Sequence, residues 1–300
     1  MLWIIGNNKS NIFNLELNYL TGEVLDNFII QALKEDVGQG DHSSLASISE
    51  KSINKAHLIV KESGVLAGIE LSKKIFYHVD PTLETQYFLK DGDTIKEKDI
   101  AFSVSGNARS ILTAERLVLN CMQRMCGIAT ITNQFVKELS GTNSKILDTR
   151  KTTPNFRVCE KWAVHIGGGS NHRFGLYDMI ILKDNHVDFA GGIYNAINKT
   201  VNYLQKNNLN LKIEIETRNL KEVEEVLNIG MVHRIMLDNM SLQMMKDAVK
   251  LINGVFETEA SGGVTLQTVN QIAQTGVDYI SAGALTHSAK NIDLSLKAYK

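Results

Sequence analysis

The sequence predicts an α/β protein: an α+β segment first, then a run of βα units in one register that favours a barrel, closed or incomplete. Three observations carry this. Short apolar runs recur from Lys145 onward, each ending in a polar or small residue: KILD to Asp148, MIILK to Lys183, KIEIE to Glu216, RIMLD to Asp238, VFETEA to Ala260 and DYISAG to Gly283. The last four ends, at 216, 238, 260 and 283, are about 22 residues apart, enough for a strand, a loop, a helix and a return. Between them lie amphipathic stretches such as NLKEVEEVLNIG and TLQTVNQIAQTG, which close on a helix-capping glycine.

The earlier elements follow in order. Apolar residues at helical spacing mark Val24 to Leu33 as a helix. Ala56 to Val60 and Ile100 to Val104 read as strands, with a helix between them over Val65 to His78. Ala108 to Leu139 carries Ile111, Leu112, Leu119, Met122, Met125 and Cys126 near the 3.6-residue period and reads as a buried connecting helix, with Gly127 a candidate break. Only Pro81 and Pro154 interrupt 300 residues, so any domains are packed rather than strung on a linker.

Charge narrows the function. The chain has 32 basic and 33 acidic residues, a net charge of -1. That excludes the broad positive field of a general nucleic-acid or membrane-surface binder. No apolar run approaches the roughly 18 residues of a membrane span, and the start, MLWIIGNNKSNIF, turns polar too soon for a signal peptide. Three cysteines without CxxC spacing point to a reducing compartment and no disulfide frame. The expectation is a cytoplasmic protein.

Against that balance, the segment 148–175, DTRKTTPNFRVCEKWAVHIGGGSNHRFG, concentrates cations around a Gly-Gly-Gly turn. Strand ends of a barrel gather at one mouth, where catalysis sits. Here they bring Asp148, Arg150, Lys151, Lys183, Asp184, Glu216, Asp238 and Asn239 from four strands. Arg150, Lys151, His172, Arg173 and Lys183 suit an anion, since guanidinium forks match carboxylate or phosphate oxygens. Glu216 and Asp238 suit sugar hydroxyls or Mg²⁺, held directly or through water. Arg157 and Lys161 read as surface charge on a helix after the TTP turn, and His186 as a structural hydrogen-bond donor. ASGGVT (260–265) and SAGALTHS (281–288) are small-residue turns after the last two strands, where exposed N–H groups bind phosphate. No GxGxxG follows a strand, which weakens a dinucleotide reading. The residues alone describe an enzyme for a phosphorylated sugar and a small polyanion.

In order and spacing, EDVGQGD, LTAERLVLNCMQRMCGIAT, LDTRKTTPNFR, GGGSNHRFGLYDMIILKDNHV, IEIE, MLDNM, ASGGVT and ISAGALTHS cover most of the chain. With them the sequence resembles the quinolinate phosphoribosyltransferases. The resemblance implies an incomplete α/β barrel with an N-terminal α+β sandwich domain. Residues 1–115 would form that domain, joined by the returning 287–300, and 116–286 the catalytic barrel. It implies a homodimer with a shared active site, and a pentosyltransferase joining quinolinate to phosphoribosyl pyrophosphate. The products would be nicotinate mononucleotide, pyrophosphate and CO₂, on the route to NAD. Arg150, His172 and Arg173, with Lys151 and Lys183 nearby, match the grip on the pyridine carboxylates. Arg116 matches the arginine given across the dimer. Glu216 and Asp238 match the groups at the ribose and Mg²⁺. Ser261, Gly262, Gly263, Ala282, Gly283 and Ala284 match the 5′-phosphate cradle.

Departures stand at His42, Ser43 and Ser44, at Asn155 where the family has Gly, and at Thr217 and Arg218 beside Glu216. Rival readings are a phosphoribosyltransferase taking nicotinate without decarboxylation, a paralogue tied to molybdenum uptake, and a non-catalytic sensor of a phosphorylated sugar.

Overall fold

The computed structural model describes residues 17–299; the stretch read against a signal peptide lies outside them. The first half holds α1 (Gly22–Val37), α2 (His42–Ser47), β1 (Ile53–Val60), β2 (Gly64–Val65), α3 (Ile69–Val79), β3 (Glu84–Tyr87), β4 (Thr94–Ile95) and β5 (Ile100–Asn107). Polar caps set the helix starts. The Thr21 hydroxyl accepts the Val24 N–H at α1, and Asp41 of the EDVGQGD segment accepts the Ser44 N–H at α2. The helix expected over Val65 to His78 starts only at Ile69, because Val65 pairs with Thr94 in a two-stranded ribbon.

Helix α4 (Ala108–Glu138) runs 31 residues without a break. Gly127 therefore does not divide it. Its role is steric: a Cβ there would lie 2.0 Å from the Lys290 carbonyl oxygen. The helix accepts a residue of poor propensity so that the returning chain can pass against it.

The second half carries β6 (Lys145–Leu147), α5 (Arg157–Ile166), β7 (Ile180–Leu182), α6 (Asp184–Ala190), α7 (Ile193–Lys206), β8 (Ile213–Thr217), α8 (Leu220–Ile229), β9 (Arg234–Asp238), α9 (Leu242–Ile252), β10 (Glu257–Ser261), α10 (Val269–Ala273), β11 (Tyr279–Ser281), α11 (Ala284–His287) and β12 (Leu294–Tyr299). Strands β6 to β11 form one parallel sheet in the order β6-β11-β10-β9-β8-β7. The last barrel strand thus returns to pair with the first, as barrel closure requires, and the sheet stays open between β6 and β7. This is the incomplete α/β barrel. Beside the opening, Ser170 makes an isolated parallel bridge to Leu147.

The Gly167-Gly168-Gly169 run serves packing as well as turning. A Cβ on Gly167 would lie 2.5 Å from the Ala129 carbonyl, and one on Gly169 2.7 Å from Thr132 Cγ2. Both glycines let the chain press onto α4.

Strand β12 crosses back to the antiparallel sheet, ordered β12-β1-β5-β3, and pairs with β1 from Lys55↔Tyr299 to Val60↔Leu294. One continuous apolar core joins the two halves, with α4 against both.

Candidate functional site

Strands in a barrel alternate between lumen and helix layer, and register fixes which residues share a face. Pairing of Glu216 with Met236, of Ser261 with Asp238 and of Glu259 with Tyr279 puts them on one side of the sheet. At the carboxyl ends lies a cavity of about 280 Å³. Its walls include Arg150, Lys151, His172, Arg173, Lys183 and Ser261, together with Thr149, Glu259 and Ser281. Five predicted cationic residues therefore converge. Two other hollows, about 400 and 840 Å³, run along α1 past Phe28, Ala32 and Glu35, but each carries a single cation, Arg124 or Lys34. Chemistry rather than volume marks the barrel mouth.

The cations stress one another. Burial, and then the charge of Arg150, hold the Arg173 guanidinium below its usual pKa. An anion between them relieves that repulsion. Arg173 is fixed by a 2.9 Å bond from Nη1 to the Met179 carbonyl. Lys183 Nζ stands 3.4 Å from Glu216 Oε2. Burial raises the Glu216 pKa; Lys183 opposes that shift and the Asp238 charge adds to it. Two carboxylates that repel each other, one already facing an ammonium, make a hard-oxygen donor set suited to a divalent cation.

The small-residue turns flank this mouth. Gly262 has φ +99°, and a Cβ on it would meet the Asn239 side chain at 2.1 Å. Asn239 donates its N–H to the Ser261 carbonyl at 2.9 Å, tying the ends of β9 and β10. A Cβ on Gly283 would come within 3.1 Å of Lys151 Cδ, so the second turn abuts the cationic loop. Ala282 follows β11 and donates its N–H to the Leu147 carbonyl at 3.0 Å, while Ala284 opens α11. Gly262, Gly263, Ala282, Gly283 and Ala284 are not among the cavity walls, and neither are Glu216 and Asp238. Arg116 is exposed on α4 and is not among the cavity walls.

Below the cations lies a charged floor that the sequence reading missed. Glu214 and Glu259 are fully buried. His172 Nε2 lies 2.9 Å from Glu214 and 3.3 Å from Glu259, and Arg234 Nη1 is 2.9 Å from Glu259. The Arg234 guanidinium also rests 4.0 Å from the centre of the Tyr279 ring. Burial disfavours the His172 imidazolium, but the two carboxylates outweigh it and push the pKa up to about 9. One contact opposes this: Nδ1 accepts the Arg173 N–H at 2.6 Å, which only a neutral ring can do. Neither carboxylate is aligned for a hydrogen bond from Nε2, but two charges at ion-pair distance outweigh one bond between adjacent residues, so the upward direction stands. Period-two alternation was the available signal. IEIET places Glu214 with Glu216, RIMLD places Arg234 with Asp238, and ETEAS places Glu259 with Ser261.

Lys161 corrects an expectation. Read as surface charge, it is fully buried, and its Nζ sits 2.5 Å from Asp148 Oδ1, also fully buried. Asp148 further accepts the His172 N–H at 2.8 Å and an Asn171 amide N–H at 2.6 Å. Lys161 also donates to the His172 carbonyl at 3.0 Å. Burial pushes Asp148 up and Lys161 down, each opposed by the other's charge. The donors converging on Asp148 favour its charged form. The pair thereby locks the 171–173 backbone to the end of β6. Arg157 is half-buried and donates to Thr152 Oγ1 and to the Phe174 carbonyl, so it too is structural rather than free. His186, expected as a donor, instead accepts the Lys183 N–H through Nδ1 at 3.0 Å and caps α6.

The departures now have places. Asn155 has φ +61°, a left-handed conformation that favours Gly and that Asn tolerates. Arg218 turns away from Glu216 to Glu222 and Asp188, and the Thr217 hydroxyl donates to the Met236 carbonyl.

Residues 41–126 match the family described as quinolinate phosphoribosyl transferase, N-terminal domain, and residues 128–297 its C-terminal domain. The chain belongs to the quinolinate phosphoribosyltransferase family. Within that family it is 50% identical to the nicotinate-nucleotide pyrophosphorylase (carboxylating), chloroplastic, of Arabidopsis thaliana over 282 residues, covering 89% of this chain and 80% of that one. Among solved structures it is similar to NadC from Streptococcus pyogenes, with TM-score 0.87, 40% identity and coverage of 93% and 97%. It is likewise similar to the nicotinate-nucleotide pyrophosphorylase from Francisella tularensis, with TM-score 0.87, 35% identity and coverage of 95% and 100%. The quinolinate phosphoribosyltransferase fold therefore spans both halves described here.

Proposed function

We propose that this chain converts quinolinate and phosphoribosyl pyrophosphate to nicotinate mononucleotide, pyrophosphate and CO₂, as a pentosyltransferase of NAD biosynthesis. The observation that carries the proposal is the convergence of Arg150, Lys151, His172, Arg173 and Lys183 on one small cavity. A near-neutral protein concentrates that charge because both substrates are polyanions. In this reading Arg150 and Arg173 hold the two carboxylates, and His172, whose ring nitrogens face Glu214, Glu259 and the Arg173 N–H, lines the same wall. Lys151 and Lys183 stand beside the reacting centre and the leaving phosphates. Ser261, Gly262 and Gly263, with Gly283 and Ala284, receive the 5′-phosphate on backbone N–H groups, while Ala282, whose N–H is held by the Leu147 carbonyl, shapes the second turn.

The pyridine nitrogen attacks the anomeric carbon as the bond to pyrophosphate breaks. Protein groups act here by positioning and electrostatics. When the C2–carboxylate bond then breaks, its electron pair stays at C2 beside the quaternary nitrogen, and C2 takes a proton from solvent. Arg150 and Arg173 orient that carboxylate, so no general base is needed. Glu216 and Asp238 are the residues that would hold Mg²⁺, directly or through water, and accept the ribose hydroxyls. Mg²⁺ would supply charge neutralisation on the pyrophosphate. Arg116, exposed on α4, would enter the partner's site in a homodimer. Three buried, unpaired cysteines fit a reducing compartment, and the cytoplasm is the one we propose.

Nicotinate is the rival acceptor. The crowding of Arg173 by Arg150 favours two carboxylates over one. The test is mononucleotide formation from phosphoribosyl pyrophosphate and Mg²⁺ with each acid in turn. The proposal expects product from quinolinate alone, and product only from nicotinate would overturn it.

A further inference from the structure

We propose that Arg124 and Glu160 are positioning residues that hold the site's two anion-binding loops in one arrangement before either substrate arrives. The inference rests on the function proposed above.

Arg124 lies on α4, and its guanidinium reaches three acceptors on two segments, α5 and the stretch 286–289. Nε donates to Glu160 Oε1 at 3.0 Å, Nη1 to the Ala289 carbonyl at 2.8 Å, and Nη2 to the Thr286 carbonyl. Nη2 also lies 2.9 Å from Glu160 Oε1. Glu160, on α5, is fully buried. A buried carboxylate is retained only when paired and hydrogen-bonded. Besides Arg124, it receives the Thr153 hydroxyl at 2.9 Å and the Thr153 N–H at 3.1 Å. Glu160 thus anchors the loop that carries Arg150 and Lys151, two residues beyond Lys151.

The other arm anchors the phosphate turn. Thr286 follows Gly283 by three residues, and its carbonyl is held by Arg124. The Thr286 hydroxyl then donates to the Lys151 carbonyl at 2.8 Å. Arg124, Glu160, Thr153, Lys151 and Thr286 therefore close a ring of hydrogen bonds. One side of the ring is the dicarboxylate loop and the other is the phosphate turn. Neither Arg124 nor Glu160 lines the cavity at the barrel mouth, so any effect on binding passes through the loops. Lysine at 124 keeps the charge but cannot make the planar three-way fork.

Preorganisation has a thermodynamic signature. With the ring intact, each ligand meets loops that are already ordered. With it broken, the first ligand must order them, and the second then binds more tightly. The test is calorimetric titration of the full chain with quinolinate and with ribose 5-phosphate, each alone and in the presence of the other. Parent, Arg124→Lys and Thr286→Val are compared. Thr286→Val removes only the hydroxyl and serves if Arg124→Lys does not fold. Loss of the charge-assisted bonds in Arg124→Lys predicts affinities for each ligand alone about tenfold weaker than the parent's, and loss of the neutral hydroxyl bond in Thr286→Val predicts affinities about fivefold weaker. It also predicts a mutual tightening several times larger than the parent's. Affinities within twofold of the parent would overturn the inference. So would weaker affinities with unchanged mutual tightening, the mark of a merely structural role. A parent that binds neither ligand would overturn the function reading itself, and the inference with it.

Discussion

Replacing Lys161 with Met is the sharpest test of how the cationic segment is built. A surface lysine would tolerate the change within about 0.5 kcal/mol. Here the Lys161 ammonium and the Asp148 carboxylate are both wholly removed from solvent and 2.5 Å apart. Removing one member of such a pair costs about 3–5 kcal/mol, because the other charge stays buried without its partner. The bond from Lys161 to the His172 carbonyl goes as well. The Asn171 amide and the His172 N–H remain on Asp148 and soften the loss, which favours the lower half of that range. At about 2 °C per kcal/mol for a chain of this length, the melting temperature falls by roughly 6–8 °C. The assay is thermal unfolding of Lys161→Met and of the double variant with Asp148→Asn. Since the penalty is an orphaned charge, the double variant recovers part of the loss. A single variant within about 1 kcal/mol of the parent, or a double variant no more stable than Lys161→Met, would refute the reasoning.

Three further outcomes follow from the same geometry. Arg150→Ala weakens quinolinate binding by tenfold or more while shifting the melting temperature little, since Arg150 is exposed at the mouth; equal losses of affinity and stability, read by calorimetry and thermal melts, would remove it from the site. Gly127→Ala destabilises by about 1–3 kcal/mol despite alanine's better helix propensity, because its Cβ would lie 2.0 Å from the Lys290 carbonyl oxygen; denaturant unfolding that shows a gain would contradict the close approach. Burial pushes the Cys121 and Cys126 thiols up to about 12 and Cys159 well above its usual range. Thiolate is therefore scarce at pH 8, and all three resist alkylation until denaturant is added; rapid labelling of the native chain would be the contrary result.

Much of the architecture was legible because periodicity is a property of the chain alone. The recurring strand ends at Lys183, Glu216 and Asp238, and the uninterrupted helical spacing from Ala108, each found their place. Polar end residues also marked the mouth, where Arg150, Lys151, His172, Arg173 and Lys183 do meet. What escaped depends on partners distant in sequence. The pattern of helix α5 puts Glu160 and Lys161 on its polar side, as a solvent-facing stripe would, yet the helix is buried from Val158 through Val164. Their meaning comes from Arg124 and Asp148, which only folding brings near. Gly127 could be read as a helix break or a close approach, and only Lys290 decides between them. Asn155 looked like a departure at a glycine position, and its positive φ shows why Asn is acceptable there. Glu214, Arg234 and Glu259 were visible in principle through strand alternation, once the lumen face was known.

The central claim is that the convergent cations, Arg150 and Arg173 foremost, bind a dicarboxylate and orient it for loss of one carboxylate. Quinolinate labelled with ¹³C in its 2-carboxylate tests this most directly. With phosphoribosyl pyrophosphate and Mg²⁺, labelled CO₂ should appear in step with pyrophosphate and mononucleotide, and none should appear when phosphoribosyl pyrophosphate is omitted. Mononucleotide that retains the label, or label released without phosphoribosyl pyrophosphate, would contradict the account.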